Sequence, residues 1–467
     1  MLWDRIAQLN DMVHAFVWGV PMLVLLVGAG VYFTAKTGLF QIRYIGLWLR
    51  KTLFSCFTGE ARRKGGGQAV SPFATMCTAL AATVGTGNIA GVATALTIGG
   101  PGAVFWMWIS AFFGMMTAFA ENTLGMLYRE RGPDGAWRGG PMLYLKKGLH
   151  SPFLAAAFAL SCVLASFGMG NMSQCNSIAG GLSGVFGVPP LVTGIATAAL
   201  LGAVMLGGLK RVTRVTETLV PFMALFYMGG ALVVLWCRRE YLPQACGQIL
   251  ACAFDWKAGA GGAAGYGIAQ ALRTGVSRGV FSNEAGLGSS VMVHAAADAK
   301  EPCEQGMWAV FEVFFDTIVM CTMTALVLLS SGVYDAALYG AAAGTPLLAQ
   351  LATGAQLTAA AFSTVFGPPG GGFVAVSLVL FAFSTLLGWS YYGQRAAEYL
   401  FGEHAAPVYR ALFLAAAVLG CTMRLDLAWA LSDTFNGLMA LPNLIGVLAL
   451  RREALGAWSR YRRTNHI

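Results

Sequence analysis

The sequence predicts an all-α integral membrane protein of about eleven transmembrane helices, one peripheral helix preceding a five-plus-five inverted repeat with two broken helices. Three observations predict it. Charged residues are scarce, apolar runs long enough to cross a bilayer recur along the chain, and two of those runs share a Gly-rich polar interruption.

The 467 residues are 57% hydrophobic and 11% charged, with a mean hydropathy of +0.64. Soluble domains carry about a quarter charged residues. Because a helical crossing needs roughly 20 apolar residues, and such runs leave little between them, a single transmembrane domain over 1–467 is expected. Within it, 14–35 is a peripheral span, 72–237 the first repeat and 265–450 the second. The ten cysteines lie mostly inside apolar runs without CxxC pairs, as small core residues do.

In chain order the spans fall near 14–35, 72–98, 102–127, 152–184, 190–208, 215–237, 265–297, 305–331, 371–396, 407–423 and 427–450. The first resembles a signal peptide only superficially, since its apolar run is too long and no basic stretch precedes it. The stretch Phe40 to Cys56 mixes Arg43, Arg50 and Lys51 with Phe, Ile, Leu and Trp, which suits an interfacial amphipathic helix.

The net charge of +9 follows topology, so it implies no nucleic-acid partner. Lys36, Arg43, Arg50, Lys51, Arg62, Arg63 and Lys64 fall in the first connection, and Arg129, Arg131, Arg138, Lys146 and Lys147 in the third. Lys210, Arg211 and Arg214 lie in the fifth, and Arg451, Arg452, Arg460, Arg462 and Arg463 in the tail, all on one side. The opposite connections 98–101, 185–189 and 332–370 have none, while 238–264 carries Arg238, Arg239 and Lys257. Basic short loops mark the cytoplasm. The expectation is an inner (plasma) membrane protein with its N-terminus outside and its C-terminus cytoplasmic.

The second span reads Ala82-Thr83-Val84-Gly85-Thr86-Gly87-Asn88-Ile89-Ala90-Gly91-Val92, and the seventh reads Gly279-Val280-Phe281-Ser282-Asn283-Glu284-Ala285-Gly286-Leu287-Gly288. Both contain Asn-x-Ala-Gly. Five spans apart, they enter the membrane from opposite faces. A helix stops inside hydrocarbon only where a cavity or ligand satisfies the freed backbone groups, each of which otherwise costs several kcal/mol. Half-helix N-termini suit a carboxylate, and unwound carbonyls suit a hard cation such as Na⁺. A zwitterion and a cation are the natural cargo. Small-residue helix packing, Gly87-x-x-x-Gly91, is the alternative for the first motif taken alone.

At these residues the sequence resembles the alanine/glycine:cation symporter family. Thr78 to Val92, Gly100-Pro101-Gly102-Ala103-Val104-Phe105-Trp106-Met107-Trp108 and Ser282-Asn283-Glu284-Ala285-Gly286 carry the likeness. The resemblance implies the inverted-repeat architecture of the bacterial leucine transporter. It further implies that the Thr86 and Gly87 amides meet the substrate carboxylate, with the Thr83 carbonyl and the Asn88 side chain at a cation position. Phe281 and Ser282 match the second break, the ring bordering substrate and the hydroxyl facing the cation. A second cation position is implied at Ser384 and Thr385, with carbonyls of Ala81 and Val84; oxygen-only ligation suits a hard ion. Hydroxyls bonding back to their own helix are the alternative there.

Asn171 and Gln174 lie three apart on one face of an apolar span and can contact a small zwitterion or join helices. Trp389 can cap a small pocket or simply pack. Glu121, Glu217, Glu284, Glu312 and Asp316 are carboxylates in or near spans, as proton carriers or interior hydrogen-bond partners.

The leading expectation is symport of a small neutral amino acid, alanine or glycine, with Na⁺ as the co-transported ion, no other cofactor and no required oligomer. A proton-coupled permease using Glu284 or Glu121 is the alternative. A channel would want a continuous polar pore, and no nucleophile, metal or P-loop motif points to an enzyme.

Overall fold

The computed structural model describes residues 2–62, 70–133, 135–254, 267–342, 346–423 and 426–467. Arg63, Lys64, Lys257 and the predicted start of the seventh span at 265 lie outside them. Each of the eleven predicted segments holds helix.

Seven are long, apolar, continuous helices or nearly so: Gln8–Thr37, Gly102–Tyr128, Pro152–Phe186, Gly208–Cys237, Pro302–Ser330, Pro369–Phe401 and Ala405–Thr422. A shorter apolar helix, Pro190–Met205, and the helix Asp426–Ala449 complete the unbroken ones. The remaining two segments are interrupted. Pro72–Thr83 joins Gly87–Gly99 at a bend of 49°, and Ile268–Asn283 is followed by a short helix, Val291–His294.

The local reasons are legible. Ser71 caps the first broken helix by accepting from the Ala74 N–H at 3.2 Å, with Pro72 at the first helical position. That helix then packs on two others through polar contacts: Thr78 and Thr216 hydroxyls lie 2.8 Å apart, and the Ser384 hydroxyl donates to the Ala81 carbonyl at 3.2 Å.

One expectation is corrected. Phe40 to Cys56 is not one amphipathic helix but part of three short turns, Phe40–Arg43, Ile45–Lys51 and Leu53–Thr58, whose Phe40 and Trp48 are buried. The 332–370 connection contains the helices Ala336–Ala342 and Gly354–Phe366. Its Thr358 hydroxyl donates to the Ile89 carbonyl at 3.1 Å, so this connection covers the first break.

Beyond the last span, Arg451–Thr464 is a helix that buries Trp458 and Tyr461 and exposes most of its arginines. Trp458 stacks edge-on against Phe40 at 4.9 Å, which ties the chain's end to the short turns after the first span.

Candidate functional site

The first break is a local unwinding. The Pro72–Thr83 helix ends at Val84 (φ −75°, ψ 86°), and the chain resumes as a π-helical segment, Gly87–Gly91, before Val92–Gly99. The Asn88 Oδ1 accepts from the Gly85 N–H at 3.0 Å, so one freed donor is satisfied locally. Gly85 also permits a close approach: a Cβ there would lie 2.5 Å from the Thr385 Oγ1.

The second break lies one step later than expected. Phe281 and Ser282 remain in the last turn of Ile268–Asn283, and the chain departs at Glu284 (φ +56°), followed by Gly286 (φ +92°) and Gly288 (φ +74°). The Asn283 Oδ1 accepts from the Ala285 N–H at 3.0 Å, the local turn that stops the helix. Phe281 and Ser282 thus present their side chains from a helix end.

The two interruptions meet. A Cβ on Gly87 would sit 3.6 Å from Ser282 Cα and 3.7 Å from Phe281 Cδ1, so the two chain segments are separated by little more than a side chain. The Thr86 hydroxyl donates to Gln174 Oε1 at 3.1 Å, and Gln174 Nε2 donates to the Met169 carbonyl at 3.1 Å. Met169 belongs to a second π-helical segment, Gly168–Met172.

A third π-helical segment, Phe314–Cys321, supplies Asp316. This fully buried carboxylate accepts from Asn88 Nδ2 (2.7 Å) on one oxygen and from the Ser282 and Thr317 hydroxyls (2.8 Å each) on the other. Asn283 Nδ2 donates to Thr317 at 3.0 Å. The neighbours Asp316 and Thr317 therefore hold the Asn of both Asn-x-Ala-Gly motifs. Two π-helical segments, Gly87–Gly91 and Phe314–Cys321, meet at this point, and such bulges frequently mark functional sites.

On the other side of the first break, Ser384 bonds to the Ala81 and Phe381 carbonyls (3.2 and 2.8 Å), and Thr385 to the Phe381 carbonyl at 3.0 Å. Both hydroxyls thus bond back to their own helix, and Ser384 additionally reaches one of the expected carbonyl ligands. Thr83 bonds back to Ala79 at 3.3 Å, and Val84 is buried at the point of unwinding.

Two residues stand apart. Asn171 donates to the Phe413 carbonyl at 2.6 Å and serves as a link to Ala405–Thr422. Trp389 donates to Glu284 Oε1 at 2.9 Å, with its ring packed on Gly170. Sequence reasoning named Asp316 among several carboxylates without placing it at the breaks. The available signal was its position in Phe314-Phe315-Asp316-Thr317-Ile318-Val319, an acid inside an apolar run.

Two of the other buried acids, Glu284 and Glu121, accept from neutral donors on both oxygens, whereas Glu312 leaves its Oε1 without a hydrogen-bond partner among the described residues. Glu284 accepts from Ser289 and Trp389. Glu121 accepts from Asn443 and from the Gly286 N–H at 3.4 Å. Glu312 meets His294 at 3.1 Å, and Glu217 is half-buried. Beside Phe281, a cavity of about 60 Å³ is bordered by Arg278 and Asp433, whose charged groups lie 3.6 Å apart.

The chain is similar to known proteins along nearly its whole length. The Sodium/alanine symporter AgcS of Methanococcus maripaludis is 46% identical over 451 residues, covering 96% of this chain and 95% of that one. The Probable sodium/glutamine symporter GlnT of Bacillus subtilis is 37% identical over 448 residues, covering 96% and 88%. In fold, the chain is similar to the crystal structure of MhsT in complex with L-phenylalanine, with a TM-score of 0.56 at 16% identity over 84% of this chain and 98% of that one. Residues 3–466 match the sodium:alanine symporter family, and the chain belongs to that family.

Proposed function

We propose that the protein couples Na⁺ entry to uptake of a small neutral amino acid, alanine or glycine, by alternating access around the paired breaks. The observation that carries this reading is the contact between Gly87 and the Phe281–Ser282 turn, with the Asp316 carboxylate on one flank and Gln174 on the other.

In this reading the Thr86 and Gly87 amides receive the substrate carboxylate, and Phe281 and Gln174 border the remainder. Backbone N–H groups at a helix start carry partial positive charge and need no reorganisation to meet an anion. Asp316, Asn88 and Ser282 supply oxygens for one Na⁺, with the Thr83 carbonyl nearby. Ser384, Thr385, Ala81 and Val84 supply those for a second. Asn171 and Trp389 act by holding neighbouring helices.

The chain folds as one transmembrane domain in which 14–35 is peripheral and 72–237 and 265–450 are inverted repeats. It sits in the inner membrane, N-terminus outside and C-terminus cytoplasmic, as its basic connections favour. Proton coupling through Glu284 or Glu121, both buried with neutral donors as partners, is the alternative that the ion-replacement experiment separates.

Uptake of labelled alanine into proteoliposomes under a Na⁺ gradient, a K⁺ gradient or a pH gradient alone tests the proposal. Uptake is expected only with Na⁺. Uptake driven by pH without Na⁺ would replace Na⁺ by H⁺, and no uptake of any small neutral amino acid would overturn the reading.

A further inference from the structure

Away from the breaks, on the face that carries most of the basic residues, lies a cavity of about 270 Å³. Four cationic side chains from four separate parts of the fold line it. Arg138 comes from the 130–138 hairpin, Lys210 from the start of Gly208–Cys237, Arg395 from near the end of Pro369–Phe401 and Arg410 from the start of Ala405–Thr422. No carboxylate lines it among the described residues.

Four cationic groups bordering one small, partly desolvated volume favour an anion among them. Among the described residues, three acids are near but sit on the far side. Glu130, Glu398 and Glu403 line a neighbouring cavity of about 170 Å³, with Arg138 and Arg395 forming part of the wall between the two, and Glu130 is paired with Lys147. From there Glu403 accepts from Arg138 at 2.6 Å and Glu398 from Arg395 at 2.7 Å. A guanidinium has five donors in a planar fork, so one acid contact leaves capacity for another acceptor. The buried Arg395 Nε has no hydrogen-bond partner among the described residues. Gln394 fixes the arrangement, donating to Glu398 at 2.7 Å and accepting from the Arg410 Nε at 2.9 Å. Trp137 and Tyr391 give the cavity aromatic walls, and Arg395 lies 5.4 Å from the Tyr391 ring centroid.

We infer that this cavity is a binding site for a phosphate-bearing anion, held by Arg138, Lys210, Arg395 and Arg410. Its dimensions admit one phosphate group with a small substituent, and charge-assisted bonds to phosphate are the strong, short kind that such a fork favours. The phosphate has two sources, a soluble phosphate or the headgroup of an anionic lipid, since the site opens among helix ends where a basic cluster meets the membrane surface. Occupancy joins the hairpin to three helix termini and so stabilises their packing.

The test uses the full chain purified in neutral detergent. Inorganic phosphate is titrated against chloride at constant ionic strength while the thermal midpoint is followed. The midpoint is also measured in nanodiscs of phosphatidylcholine with and without phosphatidylglycerol. A phosphate-specific or phosphatidylglycerol-specific rise is expected, the first assigning a soluble anion and the second a headgroup. In Lys210→Gln/Arg410→Gln the half-saturating phosphate rises by about tenfold, equivalent to 1.4 kcal/mol, or the lipid-specific rise disappears. Arg452→Gln/Arg460→Gln, which removes the same charge from the C-terminal helix, responds like the unaltered protein. If the double variant does not fold, Lys210→Gln alone carries the comparison. No response to either source, an equal response in both double variants, or displacement of phosphate by saturating alanine overturns the assignment.

Discussion

Asn88 and Asp316, 228 residues apart in sequence, are joined side chain to side chain at 2.7 Å in the membrane interior. Asn88 ties the first break to itself through Gly85 and to the Pro302–Ser330 helix through Asp316, so the unwound segment has one anchor with two functions. The second carboxylate oxygen holds Ser282 beside the other break.

Replacing that carboxylate by an amide tests whether it serves the cation. Asp316→Asn keeps the shape but removes the charge and turns one acceptor into a donor that opposes Asn88 or Ser282. A mismatch of this kind costs about 1–3 kcal/mol. The expected outcome is a half-saturating Na⁺ concentration for alanine uptake raised by about tenfold or more, with the protein still monodisperse in detergent. An unchanged Na⁺ dependence would confine Asp316 to a structural role.

Gly85 and Thr385 give a second, reciprocal prediction. Gly85→Ala drives a methyl to 2.5 Å from the Thr385 Oγ1 while leaving it 3.6 Å from the Thr385 Cβ. Overpacking of this size costs about 1–3 kcal/mol. Adding Thr385→Ala removes the clashing atom, so the thermal midpoint recovers in the double variant. Na⁺-driven uptake does not recover, because the proposed second cation position has lost its hydroxyl. Recovery of both stability and uptake would show that Thr385 holds no ion.

Much of this was legible beforehand, and the omissions have physical causes. Helices of hydrophobic length follow from the solvent they cross: each of the eleven apolar runs holds helix among the described residues, and seven helices are long and apolar enough to cross a membrane in one piece. The breaks were readable because Gly and polar residues inside such a run contradict its own tendency. What periodicity does not carry is the partner of each polar side chain. Asn171 and Gln174 look equivalent on one helix face, yet one reaches Phe413 and the other Thr86. Phe281 and Ser282 looked like the break itself, since a helix stop set by an Asn283 turn lies within the error of any boundary read from residue types. Asp316 was one acid among five until the π-helical turn around it aimed it at both motifs.

Gly87 tests the substrate gap. A methyl at Gly87 would make ordinary contact with Ser282 and Phe281, whereas a longer branched chain fills the space between them. Gly87→Ala is expected to weaken alanine binding moderately and glycine binding less. Gly87→Leu abolishes both while the protein remains inserted and monodisperse. Scintillation proximity or calorimetric binding with labelled alanine checks this, and retained affinity in Gly87→Leu would move the site elsewhere.

Trp389 separates holding the site from forming it. Its indole N–H donates to Glu284 at 2.9 Å and its ring lies fully buried against Gly170. Trp389→Phe keeps most of the ring packing but leaves a buried carboxylate oxygen without its donor, at a cost of about 1–3 kcal/mol. The thermal midpoint is therefore expected to fall by several degrees. The KM for alanine should stay within about twofold, because the indole bonds to Glu284, whose other partner is Ser289, and not to Phe281, Ser282 or Gln174. A large rise in KM at an unchanged midpoint would instead put the indole in contact with substrate.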